Sequence, residues 1–547
     1  MSKDFTRRAF LLLALKSISL LFLGCNFYRI QILFGSKYQL LSDKNRIRVN
    51  WIQPQRGLIR DRNNKPLVAN AFSYQAYLLE DNLDQLNKIL EKVDFLPKIS
   101  NNKKKGDLLL ASNLTWQEVV KIESDLYLHQ VISIREYYKR LYLYDKLLGY
   151  ITGYLGLPDK KLDQILVGKN GIEMTYDQEL RGKFGLERIE VNALGKKVRE
   201  LDEEPSKEGS NIKLSLDITL QARLSSLSQE AIQIVLDIKT GGILALLSPP
   251  GYDPNIFTDG LSNKAWDDLI QSPEKPLINR AIASLYPPGS TFKMVTLLAI
   301  LSSGIEAKES VFCSGEMKIG NRTLHCWRRG GHGYINAYNS LEHSCNIYFV
   351  TQAMKAGMES INKVSRQLGF GEKTGIELPF EASGFIPTKE WKKDKYKKNW
   401  TPGDTANLAI GQGYSLATPL QLTVMTALLA SGKKIKPSLL FDNEQKFSKL
   451  SRIREADLDL VRFGLYNVMR QHHNNPMEIA GKTGTAQVIS KRDGQGKFKE
   501  HSIFVGFAPY HDPRFAITTL VENAGWGRDK ALPLTKEAFK IVFDLIT

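Results

Sequence analysis

An α+β fold behind a single N-terminal membrane-spanning helix is what this sequence predicts, on three observations. About twenty mostly apolar residues, 9–28, follow Lys3, Arg7 and Arg8, a length that lets a helix cross a bilayer. Strand-like runs stand at both ends of the stretch after residue 205. Ile234 to Ile238, the turn Lys239, Thr240, Gly241 and Gly242, and Ile243 to Leu246 read as a hairpin near its start, and further runs occupy 481–488, 503–507 and 515–521. Helical segments lie between, near 290–303 and 419–430. Sheet at both ends with helices between argues that the first and last strands pair.

The basic flank of the first segment stays in the cytoplasm, and the chain beyond it lies outside. Lys16 falls inside the apolar run and is costly there unless its amine reaches back to the interface. Leu23, Gly24 and Cys25 offer a rival reading, a lipoprotein processing site, but the apolar character persists through Phe27, Ile30, Ile32, Leu33 and Phe34, as in an uncleaved anchor. The expected parts are a cytoplasmic tail at 1–8, the anchor at 9–34, a middle region at 35–205 and a large domain at 206–547. A chain of 547 residues exceeds one core, and 42% hydrophobic with 24% charged residues is ordinary for a folded protein.

A net charge of +17 is compatible with nucleic acid, an anionic membrane or an anionic substrate. Lysines crowd at 103–105 and 389–398 without any nucleic-acid module pattern, so no nucleic-acid partner is expected. After the anchor, Arg56, Gly57, Asp61, Arg62, Asn63 and Asn64 read as short strands around a tight turn. Residues 81–145 alternate helical stretches with polar loops, and the polar run 202–209 reads as a linker.

The chemistry begins at Tyr286, Pro287, Pro288 and Gly289, a turn that ends where Ser290 opens a helix apolar on nearly every side. Lys293 is the exception. At i, i+3 its amine shares a face with the Ser290 hydroxyl, close enough for proton transfer, and burial favours its neutral, basic form. Ser-x-x-Lys alone is a weak pattern, repeated at Ser100/Lys103, Ser360/Lys363 and Ser431/Lys434. Downstream, Ser344 and Asn346 flank Cys345, and Lys482, Thr483, Gly484 and Thr485 lead into a strand whose glycine lets a substrate backbone come close. A second Lys-Thr-Gly at Lys239 ends in Gly-Gly and reads as a hairpin turn.

In this order, Ser290/Lys293, Ser344/Asn346 and Lys482/Thr483/Gly484 resemble the three motifs of the penicillin-binding proteins and serine β-lactamases. Cys345 stands in the centre of the middle triplet where class A β-lactamases have Asp. Residues 45–70 resemble the junction motif of class B penicillin-binding proteins, with Asn64 in place of the usual Gly. Gly331, His332, Gly333 and Tyr334, with Gly411, Gln412 and Gly413, look most like the elongation-specific branch. The resemblance implies a transpeptidase domain, an antiparallel sheet flanked by helices, on an elongated β-rich pedestal.

It also implies roles. Ser290 attacks the penultimate D-alanine of a peptidoglycan stem peptide and Lys293 takes its proton. Ser344 and Lys482 relay a proton to the leaving group. Asn346 holds the substrate amide, Lys482 and Thr483 take the terminal carboxylate, and the N–H groups of Ser290 and Thr485 form an oxyanion hole beside Gly484. Donor and acceptor stem peptides are the implied substrates, β-lactams the inhibitors, and a polytopic peptidoglycan glycosyltransferase in the membrane the implied partner. A D,D-carboxypeptidase or β-lactamase would share the motifs, and so would a non-catalytic β-lactam sensor. The pedestal and anchor favour a transpeptidase, and about eight residues before the membrane leave no room for an effector.

Three cysteines beyond the anchor, Cys313, Cys326 and Cys345, fall within 33 residues, with His332 among them. One disulfide with an odd thiol is one reading. A Cys3His structural zinc site is the other, although the spacings of 13, 6 and 13 match no standard finger. Resemblance to elongation-type members favours the metal. His325 is a possible substitute for His332, whose flanking Gly331 and Gly333 better allow a loop to fold round an ion.

Overall fold

The computed structural model describes residues 3–38, 46–78, 108–158, 166–191, 197–258, 261–442, 447–471, 475–486 and 500–546. Gln487, Val488 and the whole 81–107 stretch, Ser100 and Lys103 to Lys105 included, lie outside them. Helix α1, Lys3–Tyr28, runs on into a π-helical turn, Arg29–Leu33, and residues 7–33 are long and apolar enough to cross a membrane.

The chain forms two compact units that do not follow one cut in the sequence. The smaller takes residues 1–56, 72–139 and 181–209. In it β1, Ile47–Ile52, β2, Gly185–Val191, and β3, Lys197–Glu204, form an antiparallel sheet in that order. A satellite core of Ala76, Leu78, Leu110, Val119 and Ile122 packs beside a helix, Trp116–Ser124, closed by a Thr115/Glu118 capping box.

The larger unit takes 57–71, 140–180 and 210–547. The elements that frame its main sheet and the site include, in chain order, α2, Ile218–Leu227, β4, Ala231–Asp237, β5, Ile243–Leu247, and α3, Lys293–Ser302. Four short strands follow, β6, Val311–Cys313, β7, Glu316–Ile319, β8, Arg322–His325, and β9, Gly333–Ile335. Then come α4, Ala337–His343, α5, Asn346–Ala356, α6, Pro402–Ala409, α7, Pro419–Ser431, β10, Ala480–Ala486, β11, His501–Ala508, β12, Phe515–Val521, and α8, Ala531–Ile546.

The main sheet runs β5-β4-β12-β11-β10, every pair antiparallel, so the first strand does lie against the last. Both its faces are covered. Ile232, Ile234 and Leu236 join one core with α3 and α7, while Val235, Phe504, Phe515 and Ile517 join Leu220, Leu224 and Phe539 in another. That two-sided burial explains why β4 reads as a continuous apolar run rather than an alternating one. Residues 293–301 of α3 are all buried, as their all-round apolar character requires.

The junction motif is tied to this unit. Asp61 is buried, its Oδ1 accepts from the Asn63 and Lys65 N–H groups at 2.8 Å each, and Asn63 Nδ2 donates to Asp217 Oδ2, also at 2.8 Å. Asp217 in turn caps α2. Asn64 adopts φ +64°, the left-handed turn expected of the position where the resembling family has Gly.

Candidate active site

A single 3-10 turn, Gly289–Phe292, leads from Pro287 and Pro288 into α3 and leaves Ser290 half-buried at the helix entrance. Two other loops grip this turn. Gly289 has φ +56°, and a Cβ there would lie 2.7 Å from the Thr485 carbonyl oxygen. Its N–H donates to Gly411 O at 2.9 Å, while Gln412 Nε2 donates to Thr485 O at 3.1 Å. Gly411 and Gln412 thus hold the Ser290 turn and the edge strand β10 together. The sequence flagged this Gly-Gln-Gly only by resemblance; its signal is a polar residue between two glycines, both here at positive φ.

Gly484 corrects an expectation. A Cβ there would sit 2.8 Å from Thr291 Cγ2 and 3.2 Å from Pro288 O. The glycine makes room for the protein's own turn and not for a substrate backbone. The outer edge of β10 is another matter: among the described residues no strand pairs with it beyond β11, so an extended peptide can add there.

Lys293 is fully buried, and its amine reaches the middle motif. Nζ lies 2.8 Å from Ser344 O, 2.7 Å from Asn346 Oδ1 and 3.1 Å from Ser344 Oγ. The hydrogen bond expected between Lys293 and Ser290 is not made among the described residues, because the buried amine takes the carbonyl acceptors opposite instead. Burial pushes the Lys293 amine down to about 8, against the opposing influence of the Cys326 and Cys345 thiols. A neutral amine fits these three contacts: its two N–H groups serve the two carbonyl oxygens, and its lone pair can accept the Ser344 hydroxyl proton.

Ser344 is placed for this by its left-handed backbone, φ 48°, at the end of α4, and Cys345 then caps α5 by accepting from Tyr348 N–H. Asn346, the first residue of α5, also donates through Nδ2 to His325 O at 3.3 Å. Lys482, buried on β10, is pushed down to about 7, first by burial and then by the positive charge of Lys293. Its amine has one hydrogen bond among the described residues, to Thr483 O at 3.5 Å. Thr483 and Thr485 lie beside it on the same edge strand, opposite Phe504 and Ser502.

The other Ser-x-x-Lys pairs are not brought here. Ser360 and Ser431 donate to the carbonyls of Ala356 and Ala427 one turn back on their own helices. Lys239, Thr240 and Gly241 form the turn between β4 and β5, with Gly241 at φ +74° and Lys239 paired to Asp512.

Cys313, Cys326, His332 and Cys345 converge: their ligand atoms all lie within 4.8 Å of one another. None of the cysteines is in a disulfide. His332 Nδ1 lies 3.6 Å from Cys313 Sγ and 3.5 Å from Cys326 Sγ, and His332 Nε2 is buried without a partner among the described residues. His325 stays outside, paired through Nδ1 with Glu316 at 3.3 Å. Three sulfurs and one ring nitrogen at this separation fit the edges of a tetrahedron with Zn–S bonds of about 2.3 Å.

Comparison with known proteins places this geometry among relatives. Residues 231–544 match the model of the penicillin binding protein transpeptidase domain, and 51–214 that of the penicillin-binding protein dimerisation domain. The chain is 32% identical to the peptidoglycan D,D-transpeptidase MrdA of Escherichia coli, over 96% of this chain and 92% of that protein. Among solved structures, the penicillin-binding protein PBP2 of Helicobacter pylori in complex with MreC superposes with a TM-score of 0.80 at 29% identity, covering 91% of this chain and 99% of that one. A chain from a peptidoglycan synthase complex gives 0.73 at 26% identity and covers 99% of each.

Proposed function

This chain belongs to the penicillin-binding proteins, in the branch of the peptidoglycan D,D-transpeptidases of cell-wall elongation, and on that premise we propose which of its residues carry the reaction. Ser290 Oγ attacks the carbonyl of the penultimate D-alanine of a donor stem peptide. Its proton passes to neutral Lys293, then through Ser344 Oγ to the departing D-alanine nitrogen as the C–N bond breaks and the ester to Ser290 forms. In the second half an acceptor amine attacks the ester carbonyl. The new C–N bond forms, the C–O bond to Ser290 breaks, and the amine's proton returns to Ser290 by the reverse relay.

Lys482, its amine lowered chiefly by burial, completes the relay on the β10 side and, with Thr483, takes the donor's terminal carboxylate. Asn346, held between Lys293 and His325 O, orients the substrate amide. The N–H groups of Ser290 and Thr485 stabilise the tetrahedral oxyanion. The observation that carries this reading is the triple contact of Lys293 with Ser344 and Asn346, which ties the first motif to the second. A β-lactam mimics the donor and traps Ser290 as a stable ester.

The test supplies a donor and an acceptor peptide and looks for cross-linked product, while a fluorescent penicillin reports acylation. Ser290→Ala abolishes both; Ser360→Ala and Ser431→Ala leave both intact. Labelling that survives in the Ser290 variant would sink the assignment. Hydrolysed donor without cross-link would mark a carboxypeptidase or β-lactamase, and stable acylation without turnover a sensor.

We further propose that Cys313, Cys326, His332 and Cys345 hold one structural zinc ion. When bound, zinc supplies a rigid closed tetrahedral knot. This chain's own contribution is Cys345, which lies between Ser344 and Asn346 and so ties the knot to the catalytic loop. Residues 35–205 serve as the pedestal and 206–547 as the transpeptidase domain, carried outside the inner membrane in the periplasm by the anchor at 9–34. Because similar chains occur in structures with MreC and in a peptidoglycan synthase complex, the proposed partners are proteins of the elongation machinery, a polytopic glycosyltransferase among them.

A further inference from the structure

A buried polar cluster outside the three motifs grips the segment that delivers Ser290. Tyr286, four residues before it, is buried and opens the turn through Pro287, Pro288 and Gly289. Its N–H donates to Ala417 O and its carbonyl accepts from the Ala417 N–H, each at 2.9 Å. Gly289 N–H is held by Gly411 O, so both ends of the turn hang by their backbone on the single loop 411–417.

The Tyr286 side chain goes elsewhere. Its hydroxyl donates to Glu522 Oε1 at 2.8 Å, with the Ser284 side chain as a second hydrogen-bonding neighbour. Glu522 follows directly on β12, and its other oxygen accepts from Arg280 Nε at 3.3 Å. Arg280 is itself fixed: its guanidinium donates to the carbonyls of Glu274 and Lys275 at 2.6 and 3.4 Å, and its backbone N–H to Ser248 Oγ at 2.7 Å. Burial, and then the Glu522 charge, push the Tyr286 phenol up, so it stays a donor. The Tyr286 ring also meets the His501 ring edge-on, with centroids 5.3 Å apart. His501 is the first residue of β11 and accepts through Nδ1 from the Asn523 N–H at 3.1 Å. Burial pushes its ring down, towards the neutral form that this acceptor role needs.

The sheet register fixes what this cluster controls. His501 pairs with Ala486, the residue after Thr485. Tyr286 thus joins the start of the Ser290 turn to the end of β10 that carries the Thr485 N–H. These two segments supply the two N–H donors assigned to the oxyanion hole, where small misplacements are costly. The geometry points to Tyr286 and Glu522 as positioning residues: the chain Arg280–Glu522–Tyr286, braced by His501, sets the spacing of the Ser290 and Thr485 N–H groups. They act through the turn and not by touching the reacting atoms. Because the oxyanion exists only in the tetrahedral state, this clamp speeds acylation without tightening the first complex. The inference rests on Ser290 being the acylated nucleophile and on these two N–H groups forming the hole.

The test follows acylation of the full-length protein in detergent by a fluorescent penicillin over a range of concentrations, which separates the dissociation constant of the first complex from the acylation rate constant. Rates are compared at equal folded protein, measured by near-ultraviolet circular dichroism. Tyr286→Phe, which removes the hydroxyl and keeps the ring, lowers the acylation rate constant about tenfold and leaves the dissociation constant unchanged. Glu522→Ala does the same from a partly exposed position, and Glu522→Gln, which keeps an acceptor for the hydroxyl, gives an intermediate rate constant. The double variant Tyr286→Phe/Glu522→Ala is no slower than the slower single one, as removal of both ends of one interaction requires. An unchanged rate constant in Tyr286→Phe, a fall confined to the dissociation constant, multiplied effects in the double variant, or a fall that vanishes at equal folded protein overturns the proposal. Absence of a wild-type acyl-enzyme at Ser290 would instead refute the nucleophile assignment on which it rests.

Discussion

Lys293 and Lys482 are both buried without a carboxylate partner among the described residues, and in the proposed mechanism their titration governs the rate. Both amines lie below the ordinary lysine value, Lys293 at about 8 and Lys482 at about 7, because burial penalises the ammonium form. In the proposed mechanism only the neutral amine of Lys293 can accept the Ser290 proton. Acylation by penicillin therefore rises about tenfold per pH unit below 7 and levels off above 8. A stopped-flow profile that is flat between pH 6 and 9 would contradict this. The sign for folding is the same. Between about 7 and the ordinary lysine range the unfolded chain binds more protons, so these two groups cost stability below 7 and the cost fades as pH rises through that window. Ser290 and Lys293 were legible from one proline-glycine turn and one apolar helix. The Lys293 contacts were not, because i, i+3 spacing fixes which face a side chain leaves from and not where a four-carbon chain finds its acceptors.

At the level of elements, the β4-β5 hairpin and its pairing with β12 could be read in advance because buried strands are long apolar runs bounded by turns. The small hairpins could not. β6 pairs with β9 and β7 with β8 over three or four residues each, with no alternation strong enough to mark them. Yet these pairings bring Cys313 and Cys326 to His332 and Cys345, and so decide between the two histidines: His325 faces Glu316 on the outside of its hairpin. The expected outcome of elemental analysis on the purified protein is one zinc per chain. Cys345→Ala or His332→Ala lowers both zinc content and penicillin acylation, the latter by about tenfold or more, as loss of a ligand loosens the Ser344–Asn346 loop. Metal-free active protein with a disulfide among Cys313, Cys326 and Cys345 would decide for the other chemistry.

For the whole molecule, the cut between domains was the least legible feature. Segments 57–71 and 140–180 belong to the larger compact unit although they precede the linker, and the Asp61–Asp217 bridge through Asn63 shows one reason. Polar linker composition marks where the chain is exposed, not which cores distant segments join. The N-terminal helix was legible in the sequence from its length and apolar character. Its apolar stretch spans 27 residues, Arg7–Leu33. At 1.5 Å per residue that is about 40 Å, longer than the roughly 30 Å of hydrocarbon it must cross. About twenty residues suffice, so the outer part of the helix can fill the bilayer with Lys16 about one turn inside the inner boundary, where its amine reaches the headgroups. The positive-inside rule predicts that Lys3, Arg7 and Arg8 remain on the cytoplasmic side, and the more than 500 residues that follow exceed the length over which their own charges would oppose export. The expected outcome is a membrane-bound protein whose intact N-terminus is found by mass spectrometry. Its large unit should be cut by protease added from the periplasmic face. A mature chain beginning at lipid-bearing Cys25, or protection of residues 206–547 in such a digestion, would overturn the orientation.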